Sequence, residues 1–83
     1  MQKSIHTEEQ RRLCGLLKKL RIEAGLRQVD LAQRLRAPQS FVSKYESGER
    51  RLDVLELRRV CNALGIGMPQ FVALLEERLH EGE

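Results

Sequence analysis

The amino-acid sequence predicts a small all-α fold of five helices. Three observations carry that expectation. Apolar residues recur at helical spacing along most of the 83 residues. Gly25, Gly48 and Gly65, together with Pro38 and Pro69, fall where such runs stop or start. No stretch reads as a strand, an internal repeat or a linker, and the length leaves room for one domain with one core.

Residues 1–6 carry no periodicity and are expected to fray. Thr7 reads as the N-cap of the first helix, with Gln10 completing a capping box and Glu8 and Glu9 favouring the helix dipole. Leu13, Leu16, Leu17 and Leu20 form its apolar stripe, and Gly25 ends it. The second helix spans Gln28 to Leu35, with Val29, Leu31, Ala32 and Leu35 at helical spacing. The break at Arg36-Ala37 is unusual, because a tight turn of this kind normally uses glycine for a positive φ; an arginine there costs about 1 kcal/mol. Pro38 suits a first helical position, so the third helix is expected from Pro38 to Ser47, with Val42 and Tyr45 inward and Gly48 as its stop. Helices this short do not persist alone in water and require a shared core.

After the loop 49–52, Asp53 reads as an N-cap with Glu56 as its capping-box partner. The fourth helix then turns Val54, Leu57, Val60, Cys61 and Leu64 inward and stops at Gly65. Met68-Pro69 opens the fifth, whose apolar positions are Phe71, Leu74 and Leu75, joined by Val72 and Leu79. Residues 7–80 thus form a single domain, followed by an acidic end at 81–83.

Composition narrows the function. The chain is 41% apolar and 33% charged, in the range of a folded globular protein and not of a disordered one. Its net charge is only +3, but residues 18–59 hold eleven Lys/Arg against six acids, whereas residues 60–83 hold Arg78 against four glutamates. A basic middle and an acidic tail fit a phosphate-facing surface with its far end turned away. Tyr45, Phe41 and Phe71 are the only aromatics, too few for stacking single-stranded bases. Cys14 and Cys61 lie on apolar helix faces and read as reduced core thiols; neither pairs with His6 or His80 at zinc-ligand spacing, so no metal is expected. No Gly-rich phosphate loop, clustered acid pair or Cys–His or Ser–His constellation points to an enzyme, and no cofactor is expected. No apolar run approaches the ~20 residues of a membrane span and no signal peptide precedes the first helix, so a cytoplasmic protein without membrane contact is expected.

The stretch QVDLAQRLRAPQSFVSKYESG, from Gln28 to Gly48, is the most informative. Two short helices with a tight break form a helix-turn-helix, whose second helix presents small polar and basic side chains outward. A helix of that character can enter a major groove and read base edges.

Laid out in this way, the chain resembles the Cro/XRE family of bacterial and phage repressors over about Leu17 to Leu75. The resemblance rests on LKKLRIEAGLRQVDLAQRL, then QSFVSKYESGER, then LDVLELRRVCNALGI, in this order and spacing. Arg36 stands where that family usually has glycine and Pro38 where it often has a Ser or Thr cap; both alter the turn, and neither removes a groove-facing residue. The resemblance implies a lambda-repressor-like DNA-binding domain with its helix-turn-helix at helices 2 and 3. It places Gln39, Ser40 and Lys44 at base-reading positions, and Gln28 on a DNA phosphate, bracing Gln39. The chemistry agrees, since a Gln amide pairs bidentately with adenine and Lys reaches O6 and N7 of guanine. Phe41 is expected either at the groove, against a thymine methyl, or folded back on the core. Ser43, Arg50 and Arg51 are candidates for phosphate contacts. Arg21 and Glu46 match a partly buried ion pair of the lambdoid repressors, in which the arginine can also face phosphate.

One such domain spans too few base pairs to find a genomic site, so a homodimer on a palindromic operator is expected, with half-sites ~10 base pairs apart or a multiple of that. Helices 4 and 5 are the expected contact, with Leu55, Phe71, Leu75 and Leu79 as candidates. The resemblance implies a transcriptional regulator, expected to be a repressor, in a bacterial or phage cytoplasm. Small standalone members of the family act as phage-type repressors, restriction–modification controller proteins or antitoxins, and size and a fifth helix fit the controller type. The alternative is a protein-interaction or antitoxin-type module whose DNA binding depends on a partner protein. That alternative predicts an apolar or acidic outer face on helix 3, where Gln39, Ser40, Ser43 and Lys44 instead stand.

Overall fold

The computed structural model describes residues 2–81, with side chains from residue 8 onward. Five helices follow one another: α1 (Gln2–Glu23), α2 (Gln28–Leu35), α3 (Gln39–Ser47), α4 (Val54–Leu64) and α5 (Met68–His80). There is no strand among the described residues. The expected positions 1, 82 and 83 lie outside them.

α1 begins five residues earlier than the Thr7 capping box implies. Thr7 therefore lies within the helix and not at its start. No glycine or proline interrupts residues 2–7, and once the packed part of a helix has formed, each further residue adds one hydrogen bond without a new nucleation cost. Glu8 consequently serves as a side-chain partner within the helix, pairing with Arg12 at 3.0 Å and Arg11 at 3.4 Å. Gln10 turns its amide to the Cys14 sulfur at 3.7 Å.

The other helix ends follow the sequence closely. α2 is capped by Asp30, whose carboxylate accepts from the Arg27 backbone N–H at 2.9 Å. Arg36 adopts the left-handed conformation, φ 55° and ψ 44°, and is the one non-glycine residue among those described to do so. Pro38 stands one position before its expected place: it is the N-cap of α3, with extended backbone (φ −69°, ψ 154°), and its carbonyl accepts from the Phe41 N–H. The proline ring fixes φ but leaves ψ free, so it serves the cap as well as the first turn. Gly48 closes α3 with φ 87°, a conformation that a Cβ would strain. At α4 the Asp53 carboxylate accepts from the Glu56 N–H at 2.7 Å and Glu56 returns the favour to the Asp53 N–H at 3.0 Å.

α2 packs on α3 and α4, α1 packs on α3 and α5, and α4 meets α5. Every helix contributes to one core: Leu16 and Leu17 from α1, Leu31 and Ala32 from α2, Val42 and Tyr45 from α3, Val60 and Cys61 from α4, and Phe71 from α5. Fully burying a large apolar side chain of this kind stabilises by ~1.5–3 kcal/mol, which is what offsets the poor autonomy of α2 and α3. Both cysteines are buried free thiols, and burial raises both, Cys61 to about 11. α5 is held on α1 by Arg12, which donates to the Arg78 carbonyl at 2.6 Å. Gly15 makes room there, since a Cβ would lie 3.2 Å from the Arg78 guanidinium.

Two expectations about apolar positions fail. Val54 is not inward but 65% exposed, because it is the first residue of α4 and lies ahead of the turn that meets the core. Phe71 is no dimer contact: it is fully buried within the chain, on the inner face of the first turn of α5.

Candidate nucleic-acid interface

α3 has two distinct sides. Val42 and Tyr45 are buried, while Gln39, Ser40, Ser43, Lys44 and Ser47 are all exposed. Those five positions follow the helical repeat and form one outward stripe of polar and basic groups.

The inner side is fixed by a connected set of polar side chains. Arg21 of α1 meets Glu46 of α3 in a fork, Nε to Oε2 at 2.7 Å and Nη2 to Oε1 at 3.1 Å. Its third nitrogen, Nη1, donates to the Leu26 carbonyl at 2.8 Å. The two side chains are 10% and 4% exposed, so this is a buried, bidentate pair, and the hydrogen bonds that Arg21 donates to Glu46 push the Arg21 pKa up. From the same carboxylate the set continues outward. Gln28 Nε2 donates to Glu46 Oε1 at 3.0 Å, and Gln39 Nε2 donates to Gln28 Oε1 at 3.4 Å. The expected bracing of Gln39 by Gln28 is thus present, and it is rooted in the buried ion pair.

Three sequence-derived assignments change. Arg21 is a buried residue and not a surface one: its guanidinium lies inside the molecule, with Nε, Nη1 and Nη2 each donating to Glu46 or Leu26. Phe41 takes the inward alternative: its ring is half-buried against the core, edge-on to Tyr45 with centroids 5.5 Å apart. Arg50, still partly exposed, is engaged by two partners within the molecule. Its guanidinium lies 4.9 Å above the Phe41 ring and forks onto Glu56, Nη1 to Oε1 at 3.0 Å and Nη2 to Oε2 at 2.7 Å. That pair holds Glu56 down to about 2, helped by the Asp53 N–H, and raises Arg50 in turn. The Arg50–Glu56 pair spans a loop at no helical spacing, so nothing in the sequence announces it. Arg51, by contrast, is exposed and has no carboxylate partner among the described residues.

The Arg27–Asp30 pair was also not foreseen. It closes the start of α2 with Nε and Nη2 donating to the carboxylate at 3.0 and 2.9 Å, which lowers Asp30 to about 2. Its signal was available, since an acid three residues after a helix start is a capping-box spacing. Among the described residues no group of three His, Cys, Asp or Glu could hold a metal ion. No described helix is long and apolar enough to cross a membrane.

A helix-turn-helix family model matches residues 17–71. The chain is 43% identical to an XRE-family like protein from Pseudomonas syringae pv. tomato str. DC3000, over 92% of this chain and 93% of that one, with a TM-score of 0.84. It also shares its fold with the restriction-modification controller protein C.Esp1396I, at 23% identity and a TM-score of 0.82 over 88% of this chain and 95% of that one. The same controller protein, as a tetramer in complex with its natural 35 base-pair operator, matches with a TM-score of 0.79 at 24% identity, over 84% and 92% of the two chains. No protein among the curated ones matches. The family model covers most of the chain and the Pseudomonas relative aligns along nearly all of it, so the protein belongs to the XRE-type helix-turn-helix family, a class of DNA-binding regulators and not of enzymes.

Proposed function

We propose that this protein binds a specific double-stranded DNA sequence as a homodimer and represses transcription by occupying its operator, with α3 in the major groove. The observation that carries the reading is the outward stripe of α3, held in one orientation by the Arg21–Glu46–Gln28–Gln39 set behind it. Because one N–H of Gln39 is given to Gln28, its amide keeps one N–H and its carbonyl oxygen for a base edge. That pattern complements adenine N7 and N6, while Lys44 suits guanine O6 and N7 and Ser40 suits either. Gln28, Ser43 and Arg51 supply phosphate contacts that position the helix. Arg50 can join them only by exchanging Glu56 for a phosphate.

The controller protein that shares this fold is bound to its operator as a tetramer, which supports assembly on DNA for a chain of this architecture. For the dimer contact, Leu55 is 65% exposed beside the equally exposed Val54, and Val72 of α5 is 43% exposed. Leu75 and Leu79 are half-buried and contribute their outer edges. The test is selection of binding sites from random duplex DNA, with the enriched sequences titrated at two salt concentrations. A palindromic motif bound in the nanomolar range supports the reading, with affinity falling as salt rises. Weak, salt-sensitive binding without an enriched motif overturns it in favour of a partner-dependent module.

A further inference from the structure

Away from the α3 stripe, the angle between the end of α2 and the middle of α4 holds a second feature of distinct chemistry. A cavity of about 200 Å³ is lined by Leu35, Ala37, Phe41 and Val60, with Arg36 and Arg59 at its rim and Glu56 on one wall. A second hollow, of about 360 Å³, continues from Arg59 and Leu35 to Arg34, Asn62 and Ala63. Arg59 and Leu35 belong to both, so the two form one groove.

Three arginines line it against one glutamate. Arg34, Arg36 and Arg59 are exposed, and among the described residues none of the three forms a short ion pair, although Glu56 and Asp30 lie near enough to feel Arg59 and Arg34. Arg34 gives one hydrogen bond, to the Ala63 carbonyl at 3.0 Å. The acids nearby are already committed: Glu56 to Arg50, and Asp30 to Arg27. Three guanidinium groups without ion pairs of their own, outnumbering the acids beside them, surround an apolar floor; they attract an anion and also offer a place for a hydrophobic side chain. Arg36 makes the arrangement more telling, because it stands at a left-handed turn position where glycine would be less strained.

We infer that this groove is a docking site for an acidic segment of a partner protein, with carboxylates on Arg36, Arg59 and Arg34 and an apolar side chain seated between Leu35, Ala37, Phe41 and Val60. A duplex satisfies the charges but has no apolar projection on its sugar–phosphate backbone to fill the floor. This favours a protein segment over flanking DNA. Phe41 lies in the first turn of α3, so an occupant here touches the element that carries the outward stripe.

The test uses the full chain and three labelled synthetic peptides: one rich in glutamate with a single central phenylalanine, the same with serine for phenylalanine, and the same with lysine for glutamate. Binding is read by fluorescence polarisation, and the site by backbone and methyl NMR shifts. The expected result is tightest binding of the first peptide and none of the lysine peptide, with shifts centred on Leu35, Ala37 and Val60. Removing the phenylalanine should weaken it about tenfold, the order expected for burying one large apolar side chain. Arg59→Glu and Arg36→Gly should each weaken it severalfold. Arg36→Gly serves as the control for folding, since it removes the charge while relieving the turn. Equal binding of the serine peptide, or shifts elsewhere, overturns the proposal. So does a fall in the salt dependence of duplex binding in Arg59→Glu with no loss of peptide binding, which would make the groove a DNA surface.

Discussion

At the scale of single residues, the account turns on a few side chains whose positions fix their roles. Glu46 holds Arg21, Gln28 and, through Gln28, Gln39. Replacing it by Gln leaves a buried guanidinium without its counter-charge, so Glu46→Gln should lose about 3 kcal/mol in urea unfolding; an unchanged midpoint would remove the ion pair from the account. Arg36→Gly should do the opposite and gain up to about 1 kcal/mol by relieving the left-handed backbone. Tyr45 is buried, yet its hydroxyl has no hydrogen-bond partner among the described residues. Burial pushes its pKa well above that of a free tyrosine. Since an unpaired buried hydroxyl costs ~1–3 kcal/mol, Tyr45→Phe should leave stability unchanged or raise it, and a clear loss would reveal a bond that the geometry does not contain. The ion pair and the strained turn were legible because each involves a residue at a recognisable position. The diversion of Arg50 to Glu56 and Phe41 was not, because three side chains from a helix, a loop and another helix meet there only in three dimensions.

At the scale of helices, ends were more legible than faces. The glycine stops and the Asp53–Glu56 box are local chemistry, and local chemistry is written in adjacent residues. α1 was misjudged at its start because a helix extends past any cap-like residue when nothing forbids it. Val54 and Phe71 were misjudged because a run of apolar residues gives a stripe but not the phase at which a first turn meets its neighbour. The helix starts also set a pH response. Asp30 and Glu56 are each held down to about 2, by Arg27 and Arg50 in turn. Acids depressed below their unfolded values contribute stability that is complete above about pH 5 and is lost as pH falls toward 2. The urea midpoint should therefore decline across that window, less steeply in high salt, because both pairs are solvent-facing. In Arg50→Ala the decline should be shallower, and an identical slope would show that the Arg50–Glu56 pair does not contribute.

At the scale of the whole molecule, the architecture joins a braced polar face of α3 to a charge gradient. The basic residues gather on α1, α4 and the loops that flank α2 and α3, while acids gather at the end of α5. This polarity was visible in the sequence, as was the helix-turn-helix at its centre. The connection from Arg21 through Glu46 and Gln28 to Gln39 was visible only in part, since two of its three links join amides whose reach depends on how α2 crosses α3. The central claim is that this connection aims Gln39 at one base while Arg51 only positions the protein. The measurement that tests it most directly is the affinity of the wild-type chain, Gln39→Ala and Arg51→Ala for every single-base variant of the selected half-site. Gln39→Ala should lose ~1–3 kcal/mol of discrimination at one base pair per half-site, and Arg51→Ala should weaken all variants alike and lower the salt slope by about one. A Gln39→Ala protein with its base preferences intact at every position would contradict the account.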